Sequence, residues 1–400
     1  MADQPFPWRR TFILGFGFFG INIIWPLFNS LIPPMLEDLG LAATVIGFIM
    51  TWDNIINLFF QPWVGSRSDR THTRFGRRKP WLMLGAPLAA FFFILVPFVR
   101  ENFVLIALAL LGANLGMALF RSPTVAYLGD LFRPAQRSKS NGVINLMGGL
   151  GGAFALLVGG ALYKIGVPLP FIVGAGVMLI AIGIVVAFVK EPDLSDQPIT
   201  EQEPGMWANA KRVATDRDRS GLFLLAAIFS WFVGCNTILA FFTLYARNVL
   251  GVPVGTSAQI LSAFAATLII FAIPSGLLAT RIGRKPTIII GLGGMVLCSL
   301  AAFTVGNPTV LLAVLAVMGA FWALVNINSL PMVYDLAGQR SIGAFTGLYF
   351  FAASLAAITG PILAGRLIDS TSYRIIWPFC LIFLALAMVL MTQVRPRRAV

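Results

Sequence analysis

Gly76-Arg77-Arg78-Lys79-Pro80 stands between two long apolar runs, and Gly283-Arg284-Lys285-Pro286 stands between two others. A second pair of motifs keeps step with the first. Asp130-Leu131, followed by Gln136-Arg137-Ser138, returns as Asp335-Leu336, followed by Gln339-Arg340-Ser341. The offsets are 207, 205 and 203 residues, so two independent motifs repeat in register across a chain of 400. Long apolar runs fill most of the chain around them, and that decides the class.

The chain is 58% hydrophobic and 11% charged, with a mean hydropathy of +0.85. A water-facing domain carries roughly 25% charged residues, so the outer surface here is built for lipid. A spanning helix needs about 20 mostly apolar residues at about 1.5 Å each. Such runs lie near 11–33, 44–65, 80–99, 103–127, 141–163 and 169–189, then near 221–245, 257–280, 286–304, 309–332, 343–364 and 374–393. The net charge of +13 does not mark a nucleic-acid binder, because the basic residues sit in short loops between these runs. With both termini cytoplasmic, 23 of the 29 Lys and Arg fall inside and five outside, the bias expected of a multi-pass protein in a cell inner (plasma) membrane. Trp8-Arg9-Arg10 precede an apolar stretch too long for a cleavable signal, so it reads as the first span.

The longest polar stretch, Glu191 to Arg219, holds Pro192, Pro198 and Pro204, and a short surface helix is expected around Trp207–Val213. The expected fold is therefore an all-α membrane protein. It has twelve transmembrane helices in two pseudo-symmetric six-helix halves, residues 1–190 and 221–400, joined by a cytoplasmic linker at 191–220. Cys235, Cys298 and Cys380 all lie inside apolar runs, and His72 lies in a basic loop. With no metal-ligand spacing, phosphate-binding loop or nucleophile elbow, neither an enzyme nor a metal or cofactor site is expected.

Gly65-Ser-Arg-Ser-Asp69-Arg70-Thr-His-Thr-Arg74-Phe-Gly76-Arg77-Arg78 resembles the signature loop G-x-x-x-D-R-x-x-x-R-x-G-R-R of the major facilitator superfamily. Acid and base cluster there beside helix ends. Asp69 is expected to meet a helix N-terminus, and Arg77 or Arg78 to reach Asp130. The expected cytoplasmic gate is Asp69, Arg70, Arg77, Arg78, Asp130, Arg137, Arg284, Asp335 and Arg340. Such a network holds one closed arrangement and breaks when the halves rock.

The same region resembles a narrower group, the sucrose:proton symporters of plants and their animal relatives, and the broader glycoside–pentoside–hexuronide:cation symporters. The resemblance rests on Gln61-Pro-Trp-Val-Gly65 through Asp69-Arg70, and on Arg74-Phe-Gly-Arg-Arg-Lys-Pro-Trp81. Gly20, Trp25, Leu27, Ser30, Leu31, Pro34 and Leu39-Gly40 continue it in the first span, and Pro123, Ala126, Leu128 and Asp130-Leu131 in the fourth. It is sharp over 20–145 and implies a disaccharide or glycoside moved with a cation. One position departs. The plant proteins carry a proton-binding aspartate in the outer half of span four, where this chain has Asn114. An amide does not titrate, so coupling needs another acid, or transport is uncoupled.

Of the sixteen Asp and Glu, Asp53 alone sits deep in a span, about nine residues into the second. A charge there costs about 2.5–3.5 kcal/mol on insertion scales, so a role in function is the default reading. A permanent structural ion pair is the competing one. Its expected partner is Arg121 of span four, the basic residue well inside the membrane. Movement of Arg121 between states would change the proton affinity of Asp53, which is what proton coupling requires.

Amides and aromatic rings recur on span faces and form the expected sugar site. They are Asn22, Trp25 and Asn29 on span one, Asn57 on span two, Asn114 and Arg121 on span four, and Asn145 on span five. The second half adds Trp231 and Asn236 on span seven, Trp322 and Asn326 on span ten, and Tyr349 on span eleven. Amides meet sugar hydroxyls and rings meet sugar C–H faces, while any one of them also suits interhelical packing. Glycines 148, 149, 151, 152, 159 and 160 thin one face of span five for close packing.

The sequence thus reads as a proton-coupled sugar symporter working by alternating access as a monomer in the lipid bilayer. An exporter or uncoupled facilitator of another small solute, or a lipid or lysolipid transporter, stays open.

Overall fold

A computed structural model describes residues 6–132, 134–191, 219–337 and 342–395. The linker at 192–218, with its expected helix at 207–213, lies outside the described residues, as do Gln339, Arg340 and Ser341. Among the described residues, twelve helical stretches are long and apolar enough to cross a membrane. They are Trp8–Asp38, Ala43–Asp69, Lys79–Phe98, Phe103–Leu131, Lys139–Ile165, Leu169–Phe188, Ser220–Leu250, Val254–Ile282, Arg284–Thr304, Pro308–Leu336, Phe345–Ser370 and Tyr373–Gln393, numbered here as spans one to twelve. Every apolar run of the sequence becomes one of them, and most helices overrun it by a turn or more.

Two physical features mark lipid as the solvent. Phe59, Ile180, Ile273 and Leu297 are each more than 65% exposed, which a water-soluble monomer avoids on this scale. Prolines stand inside helices at Pro26, Pro62, Pro87, Pro123, Pro274, Pro331 and Pro361, where packed neighbours can satisfy the backbone groups they free.

The chain divides into two compact units. The first unit holds residues through Leu41, Trp52 to the end of span six, and Val254–Ser262; the second holds Ala42–Thr51, span seven to Pro253, and Ala263 onward. Each unit repeats one packing scheme. Span one lies against spans five and six as span seven lies against eleven and twelve, and span three lies on four as nine lies on ten.

Small residues permit the close approaches. A Cβ on Gly151 would fall 2.6 Å from the Phe19 carbonyl oxygen, and one on Gly116 would fall 2.4 Å from the Ala89 nitrogen. The glycine face of span five lies on span one, with Gly148 at Asn22, Gly152 at Pro26 and Gly159 at Leu27.

The first nine residues of span two and the first nine of span eight belong with the opposite repeat. Within the second unit, Asp369 at the end of span eleven accepts from the backbone N–H of Ala43 at 2.7 Å and of Thr44 at 3.0 Å. Gly365, one turn earlier, lets the Ala43 carbonyl approach. Within the first unit, Gly160 of span five lies against Gly255, and Lys164 bonds Gln259.

Candidate functional site

Span two is two helices, Ala43–Ile49 and Trp52–Asp69. The step between them has a local cause. The Thr51 N–H bonds back three residues to the Phe48 oxygen at 3.0 Å, and its hydroxyl bonds the same oxygen at 2.7 Å, which closes a tight turn. Asp53 thus falls in the first turn of a helix that starts inside the membrane, where a negative charge is favoured. The Asn54 side-chain amide donates to Asp53 Oδ1 at 2.7 Å, and the Asn54 backbone N–H faces the same carboxylate.

Arg121 acts electrostatically on Asp53, but among the described ion pairs none joins the two directly. The Arg121 guanidinium lies over Trp25 instead, its Cζ 5.8 Å from the ring centroid. Asn114 shares the Arg121 face of span four, two turns away. It is 2% exposed, and its Nδ2 has no partner; the Trp25 Nε1 is likewise buried without one.

Other expected site residues of the first unit divide. Asn57 is half-buried and accepts from Gln61 at 2.8 Å, and Asn29 is half-buried. Asn22 turns back onto the Phe18 carbonyl at 2.9 Å against Gly148, the arrangement of a helix-packing residue. Asn145 is exposed, and its amide is used by Asn141 one turn back on its own helix. Neither joins the Asp53–Arg121–Trp25 group through a described contact.

In the second unit the aromatic expectation shifts by one residue. Trp231 is fully buried in the core, so its ring is packing material there. Phe232, about 100° further round the helix, is half-buried. It meets Trp322 edge-on at 5.6 Å and Tyr349 at 6.2 Å. The Tyr349 hydroxyl lies 3.0 Å from Ser329 Oγ. Asn236 and Asn326 are half-buried.

At the end of the first unit that carries the Arg-rich loop, the charge network forms. Arg77 pairs with Asp130 at 2.6 Å, and Arg78 pairs with Asp130 at 3.0 Å and with Asp69. The Arg78 side chain is 4% exposed and also bonds Ser68. The expectation that Asp69 meets a helix N-terminus is corrected here, because Asp69 closes span two and is held by Arg78.

The carboxylate at the N-terminus of span three is that of Glu191, unsuspected from sequence. It accepts from the backbone N–H groups of Arg77 at 2.6 Å, Arg78 at 3.1 Å and Lys79 at 3.0 Å, and from the Tyr127 hydroxyl at 2.6 Å. Gly76, at φ +107°, allows this, since a Cβ there would sit 2.5 Å from the Glu191 carboxyl. The signal available was an acid directly after an apolar span.

Arg137 caps the end of span four through the Phe132 and Gly129 carbonyls, and Arg70 is exposed. In the second unit Arg284 pairs with Asp335 and bonds the Pro331 carbonyl at 3.1 Å. Arg340 lies outside the described residues.

The family model for the Major Facilitator Superfamily matches residues 11–265 and 248–400. Among curated proteins, the chain is similar to human Proton-associated sugar transporter A, 29% identical over 168 residues, covering 38% of this chain and 22% of that protein. It is similar to Sucrose transport protein SUC3 of Arabidopsis thaliana, 26% identical over 161 residues, covering 35% and 27%. A third relative is Multidrug resistance protein MdtH of Photorhabdus laumondii, 26% identical over 234 residues, covering 58% and 54%. The chain thus spans from about a fifth to about half of the length of these relatives.

Two solved structures share the fold. A bacterial homolog of the human lysosomal transporter Spinster has a TM-score of 0.76 at 15% identity, covering 98% of this chain and 97% of that one. Nucleoside transporter NupG has a TM-score of 0.74 at 16% identity, covering 97% and 100%. Twelve apolar helices and the family match make this a multi-pass membrane protein, a transporter rather than an enzyme. The chain belongs to the Major Facilitator Superfamily.

Proposed function

We propose that this transporter moves a sugar of the disaccharide or glycoside kind together with a proton, by alternating access, with Asp53 as the proton carrier and Arg121 as its modulator. One observation carries the reading. Asp53 and Arg121 influence each other inside the membrane without direct pairing, each leaning on a neutral neighbour, Asn54 and Trp25. A permanent structural pair would be hydrogen-bonded, since breaking such a pair in low dielectric is costly. A pair held apart can change its spacing, and a carboxylate whose opposite charge approaches or withdraws changes its hold on a proton.

The sugar part is supported by Asn57, Asn114 and the ring of Trp25 in the first unit and by Phe232, Trp322 and Tyr349 in the second. The printed names of the human and Arabidopsis relatives agree with it. The charge bias of the loops supports cytoplasmic termini in a plasma membrane. The protein is read as a monomer with no cofactor beyond the coupled proton.

The test is sucrose and maltose uptake into proteoliposomes under an imposed inward proton gradient, with Asp53→Asn alongside. Expected is accumulation by the unaltered protein and none by the variant. Accumulation that survives the substitution moves the proton elsewhere. No sugar movement by either protein removes the sugar reading and leaves export of another solute, which the similarity to MdtH over 58% of the chain would then favour.

A further inference from the structure

We infer that the substrate carries a carboxylate, and that Arg121 is the residue that binds it. This rests on the transporter reading above and narrows its substrate class.

The guanidinium offers five N–H donors in a rigid plane. The other arginines of the charge networks use theirs. Arg77 and Arg78 bond Asp130, Arg284 bonds Asp335 and Pro331, and Arg137 bonds two helix-end carbonyls. Arg121 stands ten residues inside the end of its helix at Leu131, roughly 15 Å at 1.5 Å per residue. Among the described residues, its contacts are the face of Trp25 and the field of Asp53, and no acceptor is hydrogen-bonded to it. Asp53 itself has turned to Asn54. A half-buried cationic fork at this depth, seated on an aromatic ring and lacking an acceptor, is a preorganised receptor for one.

The neighbours point the same way. Asn114 Nδ2 and Trp25 Nε1 are both donors, both buried and both unpartnered, and Asn114 lies on the Arg121 face of span four. Of the buried side-chain atoms without a partner in the first unit, two are therefore pure donors, and the third, Ser30 Oγ of span one, can donate as well as accept. A neutral sugar hydroxyl both donates and accepts and has no need of a fixed cation. A carboxylate only accepts, and it meets an arginine fork through two parallel bonds. One cation with an acid close by suits a monoanion better than a phosphate dianion. A carboxylate on Arg121 also removes from Asp53 the opposite charge acting on it, so anion and proton favour loading together.

The experiment compares methyl β-glucoside with methyl β-glucuronide, two rings that differ in a hydroxymethyl against a carboxylate, together with gluconate as an acyclic acid. Binding to the full-length protein in nanodiscs is read by tryptophan fluorescence, for which Trp25 is placed to report. Expected is glucuronide binding at least tenfold tighter than glucoside, with the preference abolished in Arg121→Gln and partly kept in Arg121→Lys. Equal binding, or tighter glucoside binding, overturns the carboxylate inference and leaves the sugar reading standing. Gluconate bound through Arg121 while neither glycoside binds keeps the carboxylate and removes the sugar ring. Binding of none of the three overturns both. The comparison of ligands on the unaltered protein decides the matter even if a variant fails to fold.

Discussion

The two units solve the same problem at their basic ends with different chemistry. In the first, Arg78 is nearly buried and is shared between Asp69, Asp130 and Ser68, while Glu191 closes the N-terminus of span three. In the second, the matching Arg284 is 38% exposed and has one carboxylate, Asp335, itself 48% exposed. Counting from Gly65 and Gly276, Thr280 stands where the first half has Asp69. The helix of span nine has no side-chain cap at its start. In place of an acid reaching that end, Lys285 reaches the Thr392 and Val394 carbonyls at 2.8 and 2.7 Å. A cavity of about 390 Å³ remains beside Thr280, Gly283, Arg284 and Asp335. Low dielectric strengthens the first network and penalises any unpaired member of it, whereas water screens the second. Duplicate motifs therefore do not carry equal energy.

The largest test of that contrast is Glu191→Ala against Lys285→Ala. Losing Glu191 strips three backbone donors and leaves the Tyr127 hydroxyl, on a fully buried residue, without its partner. The expected cost is about 2–4 kcal/mol, since a hydrogen bond to a charged group is worth about 1.5–3 and a buried group left unsatisfied costs about 1–3. The Lys285 change should cost less, about 1–2 kcal/mol, because it removes two bonds from a half-buried ammonium to helix-end carbonyls that water can then meet. Thermal unfolding in detergent measures both, and equal losses would break the comparison.

Gly76→Ala against Gly283→Ala sharpens it. Both glycines have positive φ, +107° and +92°, so each substitution incurs backbone strain of about 1–3 kcal/mol. Only at Gly76 does the new methyl also strike Glu191; at Gly283 the nearest neighbour is Pro286 Cδ at 3.5 Å. The first variant should unfold at the lower temperature. Smallest is Thr280→Asp, which rebuilds the missing carboxylate beside Arg284. A gain below about 1 kcal/mol is expected from an exposed pair, read as a slight rise in melting temperature that 1 M salt removes.

The spans and the repeat were legible because hydropathy and loop charge act locally, and twelve runs of adequate length leave one reading in lipid. Asp53 and Arg121 stood out for the same reason, as charges where the solvent forbids them. Glu191 was not legible, because an acid just past a span looks like any loop residue until the fold brings it beside the Gly76 turn. Trp231 and Phe232 are adjacent, and a single sequence does not say which of two neighbouring rings turns inward.

Sequence alone determined the twelve apolar runs, the charge bias of the loops between them, the repeated motifs and the places of one acidic and one basic group well inside those runs. Those follow from the energy of single residues in lipid. Only the tertiary structure decided that span two breaks at Thr51 and that the first turns of spans two and eight pack with the opposite repeat. It also decided that Arg121 rests on Trp25 rather than on Asp53. These depend on which neighbour offers a donor, a ring or a missing Cβ within a few ångströms, and chain periodicity carries no record of that.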